Sequence, residues 1–228
     1  MKEQSQNSSN ESLTNILDRY VYLERKEVAK SGPVTATAVI NALSIADRKK
    51  SLQLISLTTD GLSKDDNGRT ILSWAAQQGW PEIVKAAIDV GSAIDTEDKG
   101  QRTPLSYAAE HGHAEVVRIL MKSGALPVGR DLFGRTPLSH ASARGCVGVM
   151  LELFKDSRVI TEDSDDNGHS ALHWAAQEGH EAAVTLLLER GARIDKRNKG
   201  EHTPLISALL RNRTSIAKLL VEKKADVD

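Results

Sequence analysis

The sequence predicts an all-α repeat solenoid, made of helix–turn–helix units joined by β-turn or hairpin loops. Three observations carry this. Five segments repeat one pattern: GRTILSWAAQQG, QRTPLSYAAEHG, GRTPLSHASARG, GHSALHWAAQEG and EHTPLISALLRN. Their anchor hydroxyls, Thr70, Thr103, Thr136, Ser170 and Thr203, are spaced 33, 33, 34 and 33 residues apart. Behind most of them runs a second apolar stretch at helical spacing that closes on a glycine, as in PEIVKAAIDVG, AEVVRILMKSG and EAAVTLLLERG.

Each position within the unit has a physical reason. The anchor hydroxyl suits a helix N-cap, where its oxygen accepts from a backbone N–H that has no partner in the helix. Pro104, Pro137 and Pro204 follow at the first helical position, where a missing N–H costs nothing. Leu72, Leu105, Leu138, Leu172 and Leu205 then face the core. The small pairs Ala75–Ala76, Ala108–Ala109, Ala141–Ser142 and Ala175–Ala176 let neighbouring helices approach closely. Gly79, Gly112, Gly145 and Gly179 stop the first helix, and Gly91, Gly124 and Gly191 stop the second. Asp66-Asn67-Gly68, Lys99-Gly100, Phe133-Gly134 and Asp166-Asn167-Gly168 supply turn chemistry between units. A unit of two short helices cannot bury its apolar stripe alone, so its neighbours must cover it.

These residues resemble the ankyrin repeat, whose 33-residue unit carries a T-P-L-H-x-A signature before two helices. The resemblance spans residues 65–228 and is closest in the second and fourth units. It implies a solenoid that binds other proteins through its turn tips and the groove-facing surface of its first helices. The units are expected at 65–97, 98–130, 131–164, 165–197 and 198–228. The third is irregular: Ser157 replaces the second-helix glycine, and the one-residue insertion lies in LFKDSRVITEDSDDNG. The fifth, the C-terminal unit, has Leu209 for the second Ala, Asn212 for Gly and Lys224 for the second Gly.

Upstream, Thr37 stands one period before Thr70. Residues 34–64 read as a degenerate capping repeat with a break near Asp47-Arg48. Residues 11–33 read as an amphipathic helix and linker, with Leu13, Ile16, Leu17, Tyr20 and Val21 on one face and a stop at Ser31-Gly32-Pro33. Residues 1–10 are polar and read as a disordered tail.

Composition excludes several classes. Lys plus Arg total 30 against 31 Asp plus Glu, which argues against a protein built to coat nucleic acid. From Arg190 to Lys224 ten Lys/Arg face three Asp/Glu, but no aromatic residue interleaves them. The single Cys146 can form neither an internal disulfide nor a metal knuckle, and it reads as a small apolar residue. MKEQSQNSSNES has no apolar secretory core and no long apolar run follows, so neither secretion nor a membrane span is expected. The cytoplasm or the nucleus is expected instead. His113 and His180 fill the family's Gly-His position and His173 its T-P-L-H position, so the histidines are read as structural and no metal is expected. His180-Glu181 lacks the second His of H-E-x-x-H, since Val184 stands there. No G-x-S-x-G, P-loop or dinucleotide fingerprint occurs, so no enzyme and no cofactor is expected. Asp65–Asp66 and Asp165–Asp166 read as solvated turn formers rather than catalytic dyads.

The expected function is therefore that of a non-catalytic interaction module, a scaffold or adaptor. The alternative is a regulatory or inhibitory subunit that masks an enzyme or transcription factor. Stacking sets Arg69, Arg102, Arg135, His169 and His202 side by side as a basic row, which favours an acidic partner. Gln77, Gln78, Glu110, His111, Arg144, Gln177, Glu178 and Arg211 form a mixed polar row on the first helices. Leu132 and Phe133 occupy the third turn tip, where the other units carry Asp66-Asn67, Lys99-Gly100, Asp166-Asn167 and Lys199-Gly200. Two readings of the pair stand open: an exposed hot-spot anchor, or a cover over Leu126-Pro127 or another neighbour. The chain is expected to be monomeric.

Overall fold

In each of the five repeats from residue 65 onward the first helix begins at an extended Thr or Ser. Thr70, Thr103, Thr136 and Thr203 accept through Oγ1 from the backbone N–H three residues on, at 3.2–3.3 Å. Ser170 differs: its hydroxyl lies 2.9 Å from Nδ1 of His173. The computed structural model describes residues 36–44, 47–55 and 63–227. The polar tail and amphipathic helix expected before residue 34 lie outside these.

Among the described residues there are twelve helices in six pairs. The first pair is α1 (Ala36–Ser44) and α2 (Arg48–Ile55), separated at the break read from the sequence. Then come α3 (Ile71–Gln78) with α4 (Pro81–Asp89), α5 (Pro104–Glu110) with α6 (Ala114–Lys122), and α7 (Pro137–Ala143) with α8 (Val147–Leu153). The last pairs are α9 (Ala171–Glu178) with α10 (Glu181–Glu189), and α11 (Pro204–Leu210) with α12 (Thr214–Glu222). The odd-numbered helices stack on one another in chain order to form one layer, and the even-numbered helices form a second layer behind them.

One continuous core runs between the layers. Leu72, Leu105, Leu138, Leu172 and Leu205 are buried at their common register. Burying a leucine side chain stabilises a fold by about 1.5–3 kcal/mol, so this column is a main source of cohesion along the stack. Ala76, Ala109, Ser142 and Ala176 have no exposed surface, because the next repeat covers them.

The helix stops are left-handed, as the glycines imply. Gly79 has φ +70°, and a Cβ there would sit 2.3 Å from the imidazole of His113, so this site needs both the conformation and the bare backbone. In the fifth unit Asn212 (φ 56°) and Lys224 (φ 69°) adopt the same conformation without glycine. The turn glycines need one correction. In the second and fifth units the left-handed residue is Gln101 (φ 57°) and Glu201 (φ 60°), not Gly100 or Gly200. The third unit is irregular where the insertion falls. Helix α8 ends at Leu153, and the chain then turns on Asp156, whose carboxylate accepts from the Arg158 backbone at 2.9 Å and pairs with its guanidinium.

Histidines tie one repeat to the next. His113 Nε2 donates to the Gln77 carbonyl at 3.0 Å, and His180 Nε2 donates to that of Ala143 at 3.0 Å. Arg213 Nε does the same to Gln177 at 3.1 Å. Cys146 takes this place in the third unit, and its thiol reaches only the Arg144 carbonyl, at 3.8 Å. Burial pushes the thiol pKa up, in keeping with an apolar role. His173, fully buried, accepts from the Ser170 N–H through Nδ1 (3.2 Å) and donates through Nε2 to the His202 carbonyl (3.0 Å). The neutral tautomer is thereby fixed. Burial depresses its pKa to about 4 from 6.5, outweighing the carbonyl that favours the charged form.

The sign of the linkage follows. Between pH 6.5 and about 4 the unfolded chain takes up a proton that folded His173 refuses, so stability present above pH 6.5 is lost as pH falls towards 4. Burial also lowers the pKa of His113 and His140, which adds loss of the same sign. Urea midpoints measured from pH 7.5 to 4.5 should fall, and His173→Gln should be less stable at pH 7.5 but show a shallower fall. The difference in slope should integrate to no more than about 3 kcal/mol. Parallel curves for the two proteins would contradict this account of His173.

Candidate functional site: the turn tips and the first-helix surface

The tips are built on a recurring carboxylate or carboxamide that opens each turn. Asp65 Oδ1 accepts from the backbone N–H groups of Asn67 and Arg69 at 2.9 and 2.8 Å. Asp98 does so from Gly100 and Arg102 (2.8 and 2.9 Å), and Asp131 from Phe133 and Arg135 (both 2.9 Å). Asp165 takes Asn167 and His169 (both 2.9 Å), and Asn198 takes Gly200 and His202 (2.9 and 3.0 Å).

The second oxygen reaches a ring on the first helix, nine residues on. Trp74 Nε1 donates to Asp65 at 3.0 Å, Tyr107 Oη to Asp98 at 2.5 Å, His140 Nε2 to Asp131 at 3.1 Å and Trp174 Nε1 to Asp165 at 3.1 Å. Asn198, with Ser207 at that place, turns its amide instead to His169 Nε2 of the preceding repeat, at 3.0 Å. Asp65 and Asp165 are thus not the solvated turn formers expected from sequence: Asp165 is buried and Asp65 is half-buried with four donors around it. Their neighbours Asp66 and Asp166 are exposed. The signal was present as Asp, Asp, Asp, Asp, Asn at the repeat period, each followed nine residues later by Trp, Tyr, His, Trp or Ser.

Adjacent tips are also stitched together. Lys99 N donates to Asn67 O, Leu132 N to Gly100 O, Asp166 N to Phe133 O and Lys199 N to Asn167 O, all at 2.9–3.0 Å. Side chains at the tips are therefore held on a continuous backbone-bonded ridge.

The row of Arg69, Arg102, Arg135, His169 and His202 does run along this ridge, but its three arginines are engaged within the chain. Arg69 pairs with Asp65 (3.3 Å) and Gln77 (3.1 Å) and lies over Trp74, 3.5 Å from the ring centre. Arg102 pairs with Glu110 at 2.5 Å and covers Tyr107 at 4.0 Å. Arg135 holds Asp131 at 2.8 Å and lies 5.2 Å from the Phe133 ring. His169 packs 5.4 Å from Trp174, and His202 is half-buried with its carbonyl on His173.

On the first-helix surface, Glu110 bridges Arg102 and Arg144. Burial works to raise its pKa, but the two guanidinium groups prevail and hold it at about 2. Gln78 reaches the Leu43 carbonyl at 3.5 Å, and His111 Nδ1 lies 3.0 Å from the Tyr107 carbonyl oxygen. Gln177 donates to Glu178 at 3.1 Å, and Glu178 lies 3.9 Å from Arg213. Arg144, paired with Glu110, is 63% exposed, and Arg211 is exposed with no partner among the described residues. At the third tip the side chains of Leu132 and Phe133 are 55% and 60% exposed, and Leu126 is 48% exposed. Beneath them, burial favours protonation of Asp131, yet His140, Arg135 and two backbone N–H groups overcome it and hold its pKa well below the usual carboxylate range.

Comparison with known proteins settles the family. A family model for ankyrin repeats matches residues 42–132, 126–198 and 161–228. The chain belongs to the ankyrin-repeat family. Ankyrin repeats bind other proteins, and the family is in general a non-catalytic interaction module. Curated relatives match over short stretches. Human scaffold protein ILK is 54% identical over 39 residues, 17% of this chain and 9% of that protein. The Caenorhabditis elegans homolog of transient receptor potential cation channel subfamily A member 1 is 38% identical over 64 residues, 28% of this chain and 5% of that protein. Human neurogenic locus notch homolog protein 1 is 44% identical over 59 residues, 26% and 2% respectively. The chain spans less than a tenth of the length of each. Among the described residues, no helix is long and apolar enough to cross a membrane, and no cluster of three metal-ligating side chains occurs.

If Asp131 organises the third ankyrin tip, Asp131→Ala leaves two backbone donors, Arg135 and His140 without their acceptor. It should cost about 2–4 kcal/mol in urea unfolding. Asp166→Ala, at an exposed position in the next tip, should stay within about 0.5 kcal/mol of the parent. Equal effects of the two would remove the carboxylate from the account.

Proposed function

We propose that this ankyrin stack is a scaffold or adaptor that binds one protein partner along its tip ridge and first-helix surface, with Leu132 and Phe133 as the apolar anchor. The observation that carries the reading is the exposure of these two large side chains on a tip that is itself hydrogen-bonded on both sides. Binding energy at interfaces concentrates in a few well-held aromatic and apolar groups, and a rigid support lowers the entropic cost of using them. That a relative is named a scaffold protein agrees with this reading.

The surrounding charge favours a partner with an acidic surface. Arg144 and Arg211 stand exposed on the first-helix surface, and Arg135 lines the anchor itself. Arg69 and Arg102 contribute less, because both are largely buried, paired and stacked within the chain, whereas Arg144 stays 63% exposed although it pairs with Glu110. The stack acts as a monomer that presents one face.

The test is affinity capture from the native cell with wild type and Leu132→Asp/Phe133→Asp, after circular dichroism shows both folded. The partner should be retained by wild type and lost at least about tenfold in the variant. Equal capture by two folded proteins would overturn the anchor.

A further inference from the structure

The five tips carry a column of side chains that the carboxylate scaffold does not use. The residue directly after each opening Asp or Asn is Asp66, Lys99, Leu132, Asp166 or Lys199, and all five are exposed. Along the ridge the column reads acid, base, apolar, acid, base. The side chains of its four charged members make no hydrogen bond or ion pair among the described residues. Cations beside the anchor behave differently. Arg130 donates to the carbonyl oxygens of Gly134 (2.9 Å) and Ser164 (2.6 Å) and pairs with Asp163 (3.3 Å), and Arg135 holds Asp131.

Backbone bonds fix where these side chains start. Lys99, Leu132, Asp166 and Lys199 each donate their own N–H to a carbonyl of the preceding tip. The charges are therefore free at their ends but held at the interval of the repeats. Packed helices lie about 8–10 Å apart, and the tips follow the first helices. A partner chain that reads the column needs side chains on one face at that interval. In a β-strand, residues two apart share a face and are only about 7 Å apart. In an α-helix, residues three or four apart lie about 4.5–6 Å along the axis and residues seven apart about 10.5 Å, both outside the interval. A polyproline II chain has three residues per turn and rises about 3.1 Å per residue, so every third side chain shares a face at about 9 Å. This last interval matches the repeats.

We infer that the segment seated on the tip ridge is a polyproline II stretch of a protein partner, with base, acid, apolar, base and acid side chains at every third residue. Its apolar side chain packs on Leu132 and Phe133. The inner acid meets Lys99 and the inner base meets Asp166, while the outer base and acid meet Asp66 and Lys199. This rests on the reading of Leu132 and Phe133 as the anchor, and it adds the partner's charge order and conformation there. The acidic surface that faces Arg144 and Arg211 lies on the first-helix side and is a separate part of the same partner.

The probes are three fluorescein-labelled peptides with a central leucine and proline between the contact positions, compared by anisotropy with the full chain at low ionic strength. The first places Lys, Glu, Leu, Lys and Glu at every third position. The second has the same composition in the order Lys, Lys, Leu, Glu, Glu. The third keeps the first order but at every second position. Wild type should bind the first at least about fivefold more tightly than either other, and the advantage should shrink as salt is raised. Lys99→Glu/Asp166→Lys alters only exposed side chains, so its circular dichroism spectrum should be unchanged. Its column reads acid, acid, apolar, base, base, and its preference should therefore switch to the second peptide. Absence of binding of the first peptide, equal binding of all three by wild type, or a variant that keeps the wild-type preference would overturn the proposal. Leu132→Asp/Phe133→Asp separates this inference from the anchor it rests on, and should weaken the first peptide by about tenfold or more. That loss, together with equal binding of the first and second peptides by wild type, would keep the anchor and overturn the charge order. Binding of the first peptide by this variant as by wild type would overturn the anchor itself.

Discussion

The turn carboxylate is the constraint on which the rest of this structure depends. A tip between two short helices leaves several backbone N–H groups without helical partners, and a reversing chain cannot satisfy them alone. Asp65, Asp98, Asp131 and Asp165 resolve this by accepting two of those N–H groups on one oxygen and a ring donor of the first helix on the other. The turn is thereby fixed in shape and tied to the helix layer at once. With the turns fixed, their free backbone groups are aligned to bond from repeat to repeat, and the tips become one ridge. Hydrogen bonds to a charged acceptor are about twice as strong as neutral ones, which makes a carboxylate well suited to this place.

Much of this was readable from residues whose role depends on their own repeat alone. Thr103 with Pro104, Leu105 and the Ala108–Ala109 pair states a capped helix with a buried face, whatever lies beyond. The irregular third unit was equally visible in Ser157 and the added residue. Contacts set by three-dimensional neighbours were not. Nothing local to Asp165 says that Trp174 will turn its indole back to it, and the acidic pair there resembles an ordinary solvated turn. Nor does a basic residue before each anchor reveal that Arg69 will lie on Trp74 or Arg102 on Glu110. The period held the clue, because Asp and a ring donor recur together nine residues apart. Exposure of Leu132 and Phe133 was one of two readings open in the sequence, because it depends on neighbours in space that a local pattern does not fix.

The same logic explains why cations that form a row in sequence are not a row of free charges. Guanidinium groups beside buried carboxylates are drawn to them, and ring faces take up their remaining surface. Of the two exposed arginines on the first-helix surface, Arg144 also shares Glu110 with Arg102, and Arg211 pairs with no carboxylate among the described residues. Apolar surface, by contrast, is exposed at the third tip, where Leu132-Phe133 replaces the polar turn residues of the other repeats.

The central claim is that carboxylate and ring donor act as one unit, and a double-mutant cycle measures this directly. With Asp165→Ala, Trp174→Phe and the combination compared by urea unfolding at pH 7.5, the account predicts a coupling of about 1–3 kcal/mol between the two positions. Additive losses, with coupling indistinguishable from zero, would mean that the tips are held by their backbone bonds alone and that the carboxylate is incidental.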